Sequence, residues 1–433
     1  MKVQEHIGKI SWSLADKALY FIYGLVTIVQ MNFLEPSELG LYGMLIAINT
    51  WLFIVADSFA LTNVIQFGMN NENEGKVNTI SLTLFVLLTM GTSFIIYILK
   101  EPIAKSFGQP QMTIVLQQLP LLSFLLIPRS FCLKFIYKHH LMFKLFLIDL
   151  VFFGVMSVIT FFIIGTEKHL TFSRMVEIYY WGSLFCSIVS IIFTYRYIKF
   201  RIIGKIKLKE ILKFSFPMMA LSAVHTLPKQ LDVLIIQYFF STTVVGIYYS
   251  AKTLFRVFEE TVNAAIGLVY PAAVRQLEKQ DYEAFNSLLT KSISFIFVSF
   301  LVIVIVLELG LSKFFITTFL PARYLLAIDQ FNLLIIGALG LPLMMISTFL
   351  NSLKKNYLVL ISVSISTILS FTTFLLIGKI GNENLVPLGY IVYIFTSGVL
   401  FYFFIRKLSN FKIKNLFFSI KDITNFILNI LKK

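Results

Sequence analysis

Twelve apolar runs, each about 20 residues or longer, follow one another along the chain with short connections between them. No other feature constrains the fold as much. A hydrocarbon core of about 30 Å, crossed at about 1.5 Å per residue, needs a helix of that length. The runs lie at 11–34, 40–67, 77–99, 112–136, 143–165, 176–200, 211–239, 244–270, 285–308, 323–351, 356–378 and 385–406. Lipid offers the backbone no hydrogen-bond partners, so each run is expected to be a helix. With 58% hydrophobic and 14% charged residues among 433, the chain holds more apolar surface than a water-soluble globule can bury. The sixth run has Tyr179, Tyr180 and Trp181 at one end and Tyr195 and Tyr197 at the other, as two interfacial aromatic belts require.

Orientation follows from lysine and arginine. With the N-terminus cytoplasmic, the inside segments hold 25 basic residues and the outside loops 7, with Lys17, Lys229, Lys252, Arg256 and Lys291 inside helices. Both termini are therefore expected inside, and the net charge of +15 is read as membrane anchoring rather than nucleic-acid binding. The densest cluster, Arg196, Lys199, Arg201, Lys205, Lys207, Lys209 and Lys213, joins runs six and seven. It reads as a solvated surface anchor, with a regulatory site as the alternative. Beyond 409 the tail alternates lysines with Ile, Leu and Phe, which predicts an amphipathic helix on the inner leaflet. The first run ends at Glu35-Pro36 without a small-residue cleavage site and reads as a span, not a cleaved signal. Cys132 and Cys186 both lie in apolar stretches and offer neither a disulfide framework nor a metal site.

A shift of 206 residues lays Leu39-Gly40-Leu41-Tyr42 on Val245-Gly246-Ile247-Tyr248 and Asp57 on Asn263. Pro128 meets Pro342 at a shift of 214, and Gly165 meets Gly378 at 213. Six-helix units have the same orientation, so the repeat is parallel, about an axis along the membrane normal. The expected architecture is an all-α integral membrane protein of twelve transmembrane helices in two six-helix lobes. The first lobe covers 1–200 and a basic linker 201–210; the second lobe covers 211–408 and a cytoplasmic tail 409–433.

Ionisable groups at membrane depth cost about 2.5–3.5 kcal/mol each on insertion scales, so they are expected to face a bundle interior or a wet cavity. In the first run, Ser13, Lys17, Tyr20, Thr27 and Gln30 share one face. The second adds Asn49, Thr50, Asp57 and Asn63; the seventh carries Ser222, His225, Lys229 and Asp232 beside Pro228, which should kink it. The eighth carries Lys252, Arg256, Glu259, Glu260 and Asn263. Lys229 with Asp232, and Arg256 with Glu259 or Glu260, have the spacing of internal ion pairs, and a pair lining a cavity can also open to a ligand anion. His225 reads as a hydrogen-bonded interior residue, with a proton switch as the alternative. Asp149 has no evident partner in the sequence.

The stretch FLEPSELGLYGMLIAINTWLFIVADSFALTNVIQFG, with FSFPMMALSAVHTLPKQLDVLIIQYFFSTTVVGIYYSAKTLF and YPAAVRQL, resembles the polysaccharide transporter branch of the multidrug/oligosaccharidyl-lipid/polysaccharide exporter superfamily. The resemblance covers nearly all of 1–408, with the Gly40 and Gly246 hairpins and the helix of Asp232 as its best marks. It implies a flippase for polyprenyl-pyrophosphate-linked oligosaccharide, such as O-antigen or capsule repeat units, in the bacterial inner membrane. Substrate contacts are then expected at Lys17, Lys229, Lys252 and Arg256, and proton or sodium coupling at Asp57, Asp232, Glu259 and Glu260. Partners implied are the lipid-linked oligosaccharide, membrane lipids and polysaccharide polymerase machinery; no cofactor, metal or covalent chemistry is implied. Alternatives are a cation-coupled multidrug exporter of the same superfamily and a membrane O-antigen polymerase or ligase. Outer loops of about twenty residues or fewer, with no exposed cluster of acids, histidines or nucleophiles, weigh against the enzyme.

Overall fold

The computed structural model describes residues 3–69 and 72–409. Its helices are α1 (Val3–Phe33), α2 (Pro36–Gln66), α3 (Glu74–Ile98), α4 (Met112–Lys138), α5 (Met142–Glu167), α6 (Phe172–Tyr197) and α7 (Leu208–Gln230). They continue as α8 (Asp232–Phe239), α9 (Thr242–Glu278), α10 (Tyr282–Phe319), α11 (Ala327–Ala338), α12 (Leu341–Ser352), α13 (Asn356–Ile380) and α14 (Glu383–Ser409). Among the described residues, strand-like pairing is limited to one parallel bridge, Leu34 with Leu170. The amphipathic tail expected beyond 409 lies outside the described residues.

Eight described helices, α2 to α6 with α10, α13 and α14, are long and apolar enough to cross a membrane. The pair α11 and α12, bent by 46°, makes a ninth if it forms one span. The other three apolar runs of the sequence fall on α1, on α7 with α8, which the break at Leu231 divides, and on α9. The protein is thus an all-helical, multi-pass membrane protein. It divides into two compact units, Met1–Gly246 and Ile247–Lys433.

In the first unit α2 is central: 72% of its most apolar stretch is buried, against 22% for α3, which turns its side chains outward. Pro36 opens α2, where a missing N–H costs nothing. Helices in lipid gain little from burying apolar surface against one another, so small residues and hydroxyls hold them together. Gln30 Nε2 donates to Thr160 Oγ1 at 2.8 Å between α1 and α5. Ser93 and Ser123 share a hydrogen bond of 2.7 Å between α3 and α4, and Ser187 Oγ donates to the Leu125 carbonyl at 2.5 Å between α6 and α4. Phe59, Phe85, Phe131 and Phe135 fill the space between α2, α3 and α4.

The α2 and α9 starts cross at two glycines. A Cβ on Gly246 would lie 1.7 Å from the Pro36 carbonyl oxygen, and one on Gly40 would lie 2.2 Å from the Thr242 carbonyl oxygen. The contact is reciprocal, each imagined Cβ being 3.0 Å from the other glycine's nitrogen. No side chain but hydrogen fits there.

The linker after α6 is built into the same unit. Arg201 N donates to the Gly75 carbonyl at 3.1 Å, Asn78 Nδ2 to the Lys199 carbonyl at 2.9 Å, and Lys76 Nζ to the Gly204 carbonyl at 2.9 Å. Asn73 Oδ1 accepts from Lys205 N and Ile206 N. Glu74 pairs with both Lys138 (2.8 Å) and Lys199 (2.9 Å). The basic cluster read as a solvated anchor is therefore partly a brace. The first unit also takes in α7, where Ser58 and Ser222 share a hydrogen bond of 2.6 Å and Asn63 Nδ2 donates to Ser215 Oγ at 2.9 Å.

In the second unit α13 packs on α14 through Gly389, whose imagined Cβ would be 2.5 Å from the Phe374 ring. Ser370 Oγ donates to the Gly389 carbonyl at 2.7 Å. Gly398 on α14 admits Leu343 of α12, and Asn286 Nδ2 of α10 reaches the Ser409 carbonyl at 2.7 Å. A widened turn, Leu307–Leu311, interrupts α10, with Gly310 at φ +117°, a conformation that favours glycine.

Candidate functional site

Among the described residues, the charged groups singled out in the sequence and their partners fall mainly into three clusters. The first joins α1, α4 and α5: Arg129 Nη2 pairs with Asp149 Oδ1 at 2.5 Å, and the guanidinium lies 5.3 Å from the Phe152 ring centroid. Asp16, 3% exposed, interacts with Asp149, which is 2% exposed, and with Arg129. Asp16 Oδ1 is buried without a hydrogen-bond partner. Two buried carboxylates thus face one guanidinium, a set that a single proton or small cation would neutralise. Arg129 and Lys134 fall within the fourth apolar run, 112–136, although they are not among the five basic residues expected inside helices. The structure keeps them in α4, which runs on to Lys138, and so supplies the partner that Asp149 lacked. The signal was present: an arginine in mid-run and an unassigned acid in the next one.

The second cluster joins α2 to α4. Asp57 opens a widened π turn, Asp57–Leu61, and both its oxygens take the Lys134 ammonium, at 2.7 and 2.8 Å. Such turns insert one residue and are frequent at functional sites. Its side chain stays 32% exposed. On α7, His225 and Lys229 are half-buried, and the helix breaks at Leu231, three residues beyond Pro228. Asp232 is fully buried at the start of α8, its Oδ1 accepting from Val233 N at 3.0 Å.

The third cluster lies in the second unit. Lys252, 8% exposed, sits 5.6 Å from the Tyr248 ring centroid and 5.1 Å from that of Tyr390, within cation–π range. Tyr390 OH donates to Glu259 Oε1, and the Tyr390 ring stacks on Tyr393. Arg256, exposed, interacts with Tyr249, Glu259 and Glu260 on its own helix. The expected Arg256–Glu259/Glu260 grouping is present, but Tyr390 shares Glu259, a partner that helical spacing alone does not reveal. Lys17 is exposed on α1, 5.0 Å from the Tyr20 ring centroid. The structure thus brings Lys252, Arg256, Glu259 and Glu260 together, and separately Asp57 with Lys134.

Outside the spans, the His139 and Tyr197 rings lie 4.7 Å apart, tilted by 34°. Burial and the adjacent Lys138 charge push its imidazole below the usual histidine range. Among the described residues no three His, Cys, Asp or Glu side chains converge as metal ligands would. Cys132 and Cys186 are buried, unpaired thiols.

The sequence profile of the family described as "Polysaccharide biosynthesis protein" matches residues 31–329, more than half of the chain. The chain belongs to the polysaccharide biosynthesis protein family. No curated protein matches it significantly by sequence. Solved structures place this family member in a wider fold class. It is similar to a lipid II flippase, MurJ, in an inward closed conformation, with TM-score 0.74 and 16% identity over 98% of this chain and 93% of that one. A multidrug resistance MATE family transporter of the MOP superfamily, in an inward-facing conformation, matches at TM-score 0.70 and 13% identity, covering 92% and 98% of the two chains. A MOP superfamily transporter from Pyrococcus furiosus matches at TM-score 0.67 and 13% identity, covering 92% and 94%. The family resemblance read from the sequence is borne out, and the fold is that of flippases and transporters rather than of enzymes.

Proposed function

We propose that this polysaccharide biosynthesis protein is a flippase for polyprenyl-pyrophosphate-linked oligosaccharide, of O-antigen or capsule type, in the bacterial cytoplasmic membrane. Twelve spans in two six-helix lobes, with both termini cytoplasmic, would expose a central cavity to each side in turn. The observation that carries the reading is a polysaccharide-biosynthesis sequence joined to a flippase and exporter fold. The chemistry asks for such a protein. A pyrophosphate-bearing sugar headgroup cannot enter hydrocarbon, because each unsatisfied polar group costs several kcal/mol, whereas the polyprenyl tail can stay in lipid.

In this reading Lys17, Lys229, Lys252 and Arg256 draw the pyrophosphate or acidic sugars, the exposed Lys17 and Arg256 directly and the buried Lys252 by fixing the Tyr248–Tyr390 surface. Asp57, Asp232, Glu259 and Glu260 are the ion-coupling carboxylates, and Asp16 with Asp149 joins them as the set with one acid in excess of its arginine. A proton or sodium ion held there, or the membrane potential at about 2.3 kcal/mol per charge per 100 mV, supplies the driving force. The MATE-like fold keeps cation-coupled drug export as the second reading. Lipid-linked oligosaccharide measured leaflet by leaflet in a deletion strain decides between them. Build-up on the cytoplasmic leaflet supports the flippase; unchanged lipid intermediates with altered drug tolerance would replace it by the exporter. Intact flipping by a normally expressed Lys252→Ala/Arg256→Ala variant would remove those two residues from the mechanism.

A further inference from the structure

At the end of the first unit opposite the braced linker, a cavity of about 520 Å³ opens where the α2 and α9 starts meet the connection between α3 and α4. Its size falls within the roughly 300–1,000 Å³ of ligand sites. The lining is uncharged and polar: hydroxyls of Ser37, Ser241, Thr242 and Thr243, and carboxamides of Gln109 and Gln111. A phosphate, carboxylate or metal ion would call for a formal charge or a charge-assisted donor, and this lining has none. Hydroxyl and carboxamide groups both donate and accept, as the vicinal hydroxyls of a sugar do.

The site is also built rather than incidental. The Gly40–Gly246 crossing holds two of its walls at backbone contact. Two pins fix the same end: Leu170 N donates to the Phe33 carbonyl at 2.7 Å, and Phe172 N to Glu38 Oε2 at 2.5 Å. Within this frame the polar lining is loosely engaged. Thr242 Oγ1 reaches Gln111 Oε1 only at 3.5 Å, and Ser241 Oγ takes the Val244 N–H at 3.4 Å. Bonds that long are readily exchanged for those of a ligand.

We propose that this cavity is a saccharide subsite that takes one or two uncharged sugar residues of the carried oligosaccharide at the far face of the membrane. The proposal rests on the reading of the substrate as a lipid-linked oligosaccharide. Sugars lodged there hold the headgroup at the exit face while the pyrophosphate disengages, and the driving force remains that of the coupled ion or the membrane potential.

The test uses Thr243→Cys in the full-length protein. Cys132 and Cys186 are buried, so an impermeant maleimide reads the new thiol in intact membranes. The probe is the oligosaccharide released by mild acid from the host strain's own surface polysaccharide, with inorganic pyrophosphate as the charged control. The oligosaccharide should slow labelling about fivefold at four-fifths occupancy, pyrophosphate should not, and protection should vanish in Thr243→Cys carrying Gln111→Leu and Thr242→Val. Labelling indifferent to the oligosaccharide, or slowed equally by pyrophosphate, overturns the subsite. The deletion strain separates the two failures. If it accumulates lipid-linked oligosaccharide while protection is absent, the subsite alone is wrong; if it accumulates none, the substrate reading falls first.

Discussion

Gly246→Ala tests the glycine crossing directly. The added methyl would lie 1.7 Å from the Pro36 carbonyl oxygen, so the backbones must part by about 1.7 Å to regain ordinary contact at 3.4 Å. Overpacking of this kind costs about 1–3 kcal/mol, and the upper end applies because the obstacle is backbone and cannot rotate away. At about 2–4 °C per kcal/mol for a unit of some 250 residues, melting of the purified protein should fall by roughly 6–12 °C. Gly40→Ala, with 2.2 Å to the Thr242 carbonyl oxygen, should behave alike. Gly91→Ala and Gly154→Ala are the controls, since nothing lies within 4 Å of either imagined Cβ. Alanine's better helix propensity, about 1 kcal/mol, should leave these two unchanged or slightly stabilised. The assay is thermal denaturation in detergent followed by size-exclusion chromatography. A Gly246→Ala melting point within about 2 °C of the parent, or no lower than that of Gly154→Ala, would refute the close-approach argument.

Arg129→Ala leaves buried carboxylates without their cation and should cost about 3–5 kcal/mol, while adding Asp149→Asn should restore most of it; equal stability of single and double variants in a thermal assay would count against the cluster. Glu74→Gln removes the shared partner of Lys138 and Lys199 and should cost about 1.5–3 kcal/mol, with faster tryptic cleavage at the exposed Arg201 and Lys205; an unchanged digestion rate would show that the brace lies elsewhere. His139 has its proton affinity lowered in the fold, so the unfolded chain takes up a proton first as the pH falls. Its contribution is fully present above the ordinary value of about 6.5 and is lost on acidification, so His139→Phe, which keeps a ring against Tyr197, should flatten the stability profile between about pH 7 and 5.

Much of this was legible because the bilayer makes length and apolarity decisive. The limits of the sequence lay where a charge interrupts a run. Arg129 and Lys134 look like loop residues when basic residues are counted by connection, yet α4 continues past both, and each pairs with an acid that follows or precedes it by many residues, Asp149 and Asp57. Tyr390 closing over Glu259 and Lys252 is likewise remote in sequence, since an aromatic residue in an apolar helix announces only core. The glycine hairpins were recognised as repeat marks; that Gly40 and Gly246 touch one another is a statement about three dimensions that no periodicity contains. Neutral Ser, Thr and Gln residues at helix starts and in connections carried no signal at all until the helices gathered them around one cavity.

In the proposed orientation, with both termini cytoplasmic, the double pairing of Glu74 gives the basic connections two careers in time. While the chain is being inserted, Lys138 and Lys199 are separate positive charges, read one by one, and acidic residues weigh little in that reading. Once α3, α4 and the linker have met, a single carboxylate holds both ammonium groups, and Lys138 retreats to 7% exposure. The orienting signal is thus spent early and recycled as a fastener. Removing a lysine here would act at two stages, first on which way the chain enters the membrane and later on how firmly it closes.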